Sequence, residues 1–300
     1  MHSTQEFLRK LGLPAGDWLE QPTSELRFPD GGQFRIEIPS TEGPEALEAV
    51  IHEAAQRNVP IHRVSQGSGI MLQTDDELRR FKKLGDEHGI EISLFTGPRA
   101  SWDIGIQSTT SSGRVIGASL RGPGQLVYGI EDVRHACELG LRSVLVADLG
   151  QLWVLAKMKE SGDLPADLVL KVSVSLPVAN PATARVLQDL GATTLNLPVD
   201  LTTSQIGAIR QAVDCPLDIY IEGPDDFGAP LRYYEIPEIV RVAAPVYLKF
   251  TVRNSPGLYP SGEHIRGLAL ETARERVRRA EIGLSILQRY MPEAQASPKQ

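Results

Sequence analysis

Eight short β-rich runs alternate with helical patterns along this chain, and few architectures can absorb such an alternation. The first run, FRIEI at 34–38, precedes a helical pattern that starts at Pro44. IHRVS follows from Ile61, and then TDDELRRFKKLGDEHG, with Thr74 or Asp75 as N-cap and Gly89 as stop. The third run is EISLFT at 91–96. At 101–121 the alternation pauses, and two alternating stretches about TSSG predict a hairpin insertion. It resumes with SVLVAD, ending at Asp148, which reads as a cap for the next helix, and with the run at 168–175. TTLNLP, LDIYIE (217–222) and VYLKFTV (246–252) complete the set, and a long final helix covers 267–290.

Eight strand–helix units predict a closed (β/α)₈ TIM barrel, an α/β fold of about 250 residues in its usual form. The single barrel domain is expected over 1–292, with 1–32 as N-terminal decoration and 293–300 as a disordered tail. A doubly wound open sheet is the alternative, but no GxGxxG follows the first strand.

Net charge is −7 and no long basic run occurs, which argues against nucleic acid and anionic membrane surfaces as partners. The polar N-terminus lacks a signal-like apolar run, and no segment approaches the roughly 20 apolar residues of a membrane span, so a cytoplasmic location is expected. Cys137 and Cys215 lack CxxC spacing and read as buried, inert thiols, too few for a four-thiolate cluster.

Side chains alternate across a strand, so each run divides into two faces. Val246, Leu248 and Phe250 oppose Tyr247, Lys249 and Thr251; Leu217, Ile219 and Ile221 oppose Asp218, Tyr220 and Glu222. Leu170 and Val172 oppose Lys171 and Ser173, and Ile36 opposes Arg35 and Glu37. The apolar faces belong against the helices, which leaves a polar barrel interior. Buried charges must pair, bind something charged or meet solvent. Glu37, Lys171, Glu222 and Lys249 are therefore candidate catalytic residues, as Lys171–Glu222 and Lys249–Glu37 pairs; a purely structural ion-pair network is the alternative.

The loops at the C-terminal strand ends add candidate binding groups. Arg63 and Gln66 precede a Gly67–Ser68–Gly69 turn, and Ser68 and the turn's amides could face an anion. Arg99 follows the third strand, Asn196 and Tyr220 lie on the sixth and seventh, and Arg253 and His264 belong to a long eighth loop. No cofactor is required by any motif. If a divalent metal binds, Glu222, Asp225 and Asp226 of EGPDDFG are its candidate ligands. No HExxH, GxSxG or Cys–His signature is present.

The stretch YEIPEIVRVAAPVYLKFTVRNSPGLYPSGEHI, after DIYIEGPDDFG, resembles the collagenase-like peptidases of unknown catalytic type, peptidase family U32. The resemblance covers mainly strands four to eight and implies a TIM barrel and a hydrolase. The family's cysteine-containing segment, and the four cysteines of its cluster-bearing relatives, have no counterpart here.

These readings converge on a barrel enzyme for a small polar, anionic molecule, held by Lys171, Lys249, Arg63, Arg99 and Arg253, with Glu37 or Glu222 as base. Hydrolysis follows the resemblance; Schiff-base lyase or aldolase chemistry on Lys171 or Lys249 fits the lysines; a non-catalytic binding barrel is the third reading. The final helix, with Ile282, Ile286, Tyr290 and Met291 on an overhanging face, predicts a homodimer through that helix.

Overall fold

Period-two alternation in the runs becomes a closed parallel barrel in the computed structural model, which describes residues 2–16, 20–103, 105–228 and 230–298. The strands are β1 (Phe34–Pro39), β2 (Arg63–Gln66), β3 (Glu91–Phe95), β4 (Ser143–Val146), β5 (Val169–Val172), β6 (Thr194–Asn196), β7 (Leu217–Glu222) and β8 (Val246–Phe250). They pair in chain order, and β8 closes on β1. A short helix, α1 (His2–Lys10), precedes them. Around the barrel lie α2 (Pro44–Arg57), α3 (Asp75–His88), α4 (Gly122–Glu138), α5 (Leu149–Ser161), α6 (Pro181–Asp189), α7 (Thr203–Arg210), α8 (Ile236–Ala243) and α9 (Arg266–Tyr290).

The main core lies between sheet and helices, where Ile36, Ile38, Val144, Leu170, Val172, Leu195, Leu217, Leu248 and Phe250 are buried. Helix starts are fixed locally. Thr74 and Glu77 form a capping box on α3, and Asp148 accepts from the Gln151 amide at 2.9 Å at the start of α5.

Residues 101–121 correct the hairpin expectation. Three 3₁₀ turns, Ala100–Trp102, Ile106–Thr109 and Arg114–Ile116, occupy the segment. Its hydroxyls bond nearby backbone: Ser108 to the Gly105 carbonyl, Thr109 to Ile106 and Thr110 to Gln107, at 2.7–2.8 Å. Such local bonds compete with a strand ladder, and alternation without a buried face does not restore it; Ile106 and Val115 stay exposed.

The tail is also more ordered than expected. Gln295 and Ser297 bracket the start of β1 through Gln33 N–H to Gln295 O (2.7 Å) and Ser297 N–H to Phe34 O (3.0 Å). Ser297 is buried, where Arg35 Nε donates to its hydroxyl, and that hydroxyl donates to Asp30. The described tail thus closes the N-terminal end of the barrel. It also packs Met291, Ala294 and Ala296 against the core, and Ile282 and Ile286 of α9 are half-buried. Tyr290 alone of the expected overhang is exposed, with its ring 6.3 Å from that of Tyr234. A homodimer through α9 therefore loses the apolar patch on which it rested. Among the described residues, no helix is long and apolar enough to cross a membrane.

Candidate functional site

Strand register brings the interior charges together. Glu37 on β1 pairs with Arg63 on one side and Lys249 on the other, so one carboxylate stands between two cations before any side chain bends. Lys171 enters from β5 and Asp218 from β7. Glu37 contacts Lys171 closely, meets Arg63 at 3.3 Å and Lys249 at 3.2 Å, and accepts from the Ser65 hydroxyl at 2.7 Å. Asp218 takes Lys171 at 2.8 Å, Arg63 at 3.2 Å and the Thr194 hydroxyl at 2.8 Å. Arg63 also reaches Glu91 at 2.9 Å and lies over the Tyr247 ring at 3.5 Å.

Three cations, Arg63, Lys171 and Lys249, thus meet three carboxylates, Glu37, Asp218 and Glu91. Burial alone would push Glu37 up, but the attraction of Lys171, Lys249 and Arg63 holds it well below the usual carboxylate range. Burial pushes Lys171 down, against the pull of Asp218 and Glu37.

One layer higher the balance ends. A cavity of about 110 Å³ opens at the C-terminal strand ends, lined by Lys249, Arg99, Asn196, Tyr220 and Gln66, with hydroxyls from Ser40, Ser65, Ser173, Ser175 and Tyr259. Phe95, Leu145 and Pro39 supply an apolar wall. Lys249 Nζ lies 4.4 Å from the centre of the Tyr220 ring. The Arg99 guanidinium is sandwiched between Phe95 (3.9 Å) and Trp102 (3.8 Å), and its Nη2 donates to Gly67 O at 2.8 Å. Burial lowers Arg99 to about 10, with Glu42 and Tyr259 opposing, so it stays cationic at neutral pH. A wider open groove of about 590 Å³ lies at the far end, near Lys82 and Arg142, away from the loops where barrels of this kind keep their chemistry.

Several expected site residues are elsewhere. A register irregularity in β7 pairs Tyr220 with Lys249 but Glu222 with Phe250, a residue of the helix-facing core. This bulge turns Glu222 out of the interior. Glu222 instead accepts from Tyr233 Oη (2.5 Å) and the Arg253 amide (2.8 Å), so the Lys171–Glu222 pair is not formed. Asp225 is held by Arg253 (3.1 Å) and the Asn254 amide, Asp226 is exposed, and no His/Cys/Asp/Glu group among the described residues is arranged to hold a metal. Arg253 and the exposed His264 do not line the cavity.

The Gly67–Ser68–Gly69 amides are already taken. Glu42, arriving from the β1–α2 loop, accepts from Gly67 N (2.7 Å), Ser68 N (3.1 Å) and Ser68 Oγ (2.5 Å). Burial raises Glu42 above its ordinary value even so. Ser68 Oγ in turn accepts from Ser261 N at 2.8 Å, which ties the eighth loop to the second. Gln66 lines the cavity, but both ends of its amide bond Gly69. Tyr259 leans on Gly67 so closely that a Cβ there would fall 2.5 Å from Tyr259 Cζ, and the Tyr259 hydroxyl bonds Ser40.

Glu42, Ser40, Tyr259 and Asp218 were not among the expected site residues. Asp218 could have been found from its inward phase on β7; Glu42 and Tyr259 carry no local signal. Both cysteines fit inert thiols, and burial raises Cys215 to about 12.

The sequence profile of peptidase family U32 matches residues 124–225. Over that stretch, the chain is similar to the U32 peptidases. The match spans α4 to the end of β7 and includes Lys171, Asn196, Asp218 and Tyr220; the eighth loop, where the resemblance was also read, lies outside it. No curated protein sequence matches the chain. Among solved structures, a U32 peptidase is 15% identical, with 79% of this chain and 99% of that chain covered and a TM-score of 0.44. Thiamine phosphate pyrophosphorylase from Pyrococcus furiosus is 10% identical over 85% and 98% of the two chains, with a TM-score of 0.48. The carboxyl transferase domain of Rhizobium etli pyruvate carboxylase is 10% identical over 99% and 52%, with a TM-score of 0.49. At these identities the likeness is one of fold alone.

Proposed function

We propose that this barrel is an enzyme for a small keto acid, with Arg99 holding the carboxylate and Lys249 attacking the ketone to form a Schiff base. The observation that carries the reading is the make-up of the cavity lining. Two cationic side chains line the cavity, and none of its described lining residues is acidic. An anion entering there meets cations that are partly stripped of water, where charge attraction is strongest. In the proposed step the neutral Lys249 amine adds to the carbonyl carbon, and the carbonyl oxygen leaves as water. Lys171, enclosed by two carboxylates and absent from the cavity lining, serves as a positioning residue.

Hydrolysis is the second reading, and the observation in its favour is the U32 match over residues 124–225. Borohydride trapping separates the two. Incubation with pyruvate, 2-oxobutanoate or 2-oxoglutarate and borohydride should leave a reduced adduct on Lys249, located by peptide mass spectrometry. Absence of any adduct, with saturable binding of the same acids, removes the Schiff-base step and leaves the hydrolytic reading.

A further inference from the structure

Two buried polar atoms on the cavity-lining residues have no hydrogen-bond partner, and they are opposite in sense. Arg99 Nε is a donor, on a residue 8% exposed; Asn196 Oδ1 is an acceptor, on a residue 1% exposed. An unpaired buried polar atom is costly, so the few that persist in a folded protein call for an explanation. Arg99 follows β3 and Asn196 lies on β6, three strands away around an eight-stranded barrel, so they approach the cavity from different sides. β6 sets Asn196 beside Asp218 in the interior phase.

A ligand that satisfies both atoms needs an acceptor at one end and a donor at the other. The acceptor is supplied by the carboxylate already assigned to Arg99. The donor could be an ammonium or a hydroxyl, and local charge decides between them. An ammonium would share a small cavity with Lys249 and Arg99, without an acidic group among the described lining residues. Like charges in a space of about 110 Å³ repel, whereas a hydroxyl donates without adding charge.

Resting on the keto-acid reading above, we infer that the substrate is a hydroxylated keto acid whose hydroxyl donates to Asn196 Oδ1. Sites built to bond a substrate hydroxyl discriminate strongly against the analogue that lacks it, because the site's own polar atom is then left bare. Asn196 is here a specificity-determining residue, and the apolar wall of Phe95, Leu145 and Pro39 accommodates the carbon chain between the two polar ends.

Matched pairs test this directly. Binding of 2-oxopentanoate and 4-hydroxy-2-oxopentanoate, and of 2-oxoglutarate and 4-hydroxy-2-oxoglutarate, is measured by calorimetry with the full chain. At least one hydroxylated member should bind about tenfold or more tightly than its partner. In Asn196→Leu, with folding verified by denaturation, the ratio of affinities within each pair should collapse to about one. Equal affinity within both pairs for the wild type overturns the inference and leaves the keto-acid reading standing. No binding of any of the four acids overturns the keto-acid reading itself. A preference that survives in Asn196→Leu removes Asn196 from the recognition. Should Asn196→Leu fail to fold, Asn196→Ser, too short to present the same acceptor, is read in the same way.

Discussion

Lys171 and Lys249 stand in the same barrel interior, yet only one of them is enclosed. Lys171 is closed on Glu37 and Asp218, whereas Lys249 has one carboxylate contact, a tyrosine ring and an open cavity. Arg63 and Lys171 are held among Glu37, Asp218 and Glu91 in the lower network; Lys249 touches that network only through Glu37 and, with Arg99, lines a mouth that has no acidic lining residue among those described. Identical residue types thus take up opposite tasks because of where the strand register leaves them. Closed pairs specify the interior and are stable only while complete. The open pair at the mouth has charge to offer a ligand.

Breaking the closed half should have the largest effect. Lys171→Met leaves Glu37 and Asp218 short of a buried partner and should cost about 3–5 kcal/mol, read by urea denaturation. A loss below about 1 kcal/mol would mean that the lower network is not compensated as described.

Acidity separates the halves next. Glu37 is depressed in the folded state, so its contribution to stability is present above its ordinary value of 4.5 and is lost as pH falls below it through the folded value. Glu42, which braces the mouth, is raised by burial, so its contribution has the opposite sign: present below 4.5, and lost as pH rises through its folded value. Asp132, which accepts from Gly97 N at 3.1 Å beneath the third loop, is raised by burial to about 6 and behaves like Glu42. Stability should fall with acid below 4.5 and also decline from there toward neutrality. Glu42→Gln should reduce the upper limb to the share that Asp132 contributes and leave the acid limb alone; an unchanged upper limb in that variant would take Glu42 out of the account.

Sequence patterning exposed the closed half better than the mouth. Period two revealed the inward phase of Glu37, Lys171, Asp218 and Lys249, because a strand's faces are local. It misplaced Glu222, since one extra residue in β7 shifts the phase and no residue type marks the shift. At 101–121, Ser and Thr side chains bonded to local carbonyls replaced the expected hairpin. The Gly67–Ser68–Gly69 turn looked open to an anion because Glu42, which fills it, comes from another loop 25 residues earlier. Tyr259 and Ser40 meet across most of the chain, beyond the reach of any spacing rule.

A smaller perturbation sharpens the mouth. Gly67→Ala would drive a methyl into the Tyr259 ring, displacing the eighth loop and weakening keto-acid binding severalfold, with stability changed by about 1–3 kcal/mol. Binding should recover in Gly67→Ala/Tyr259→Ala; no recovery would show that the contact does not shape the cavity. Least affected should be Glu222→Gln, which keeps its shape between Tyr233 and the Arg253 amide and should cost only about 1 kcal/mol. Turnover should persist in that variant, and its abolition would return Glu222 to the reaction.

The distinction between the two lysines can be measured in one calorimetric experiment, with 2-oxobutanoate titrated into the wild type and into Lys249→Met. Saturable 1:1 binding to the wild type is predicted. In Lys249→Met it should fall by about tenfold or more, with a stability loss under about 2 kcal/mol, because Glu37 keeps Lys171, Arg63 and Ser65. Undiminished binding to a folded Lys249→Met would contradict the assignment of Lys249 to the ligand.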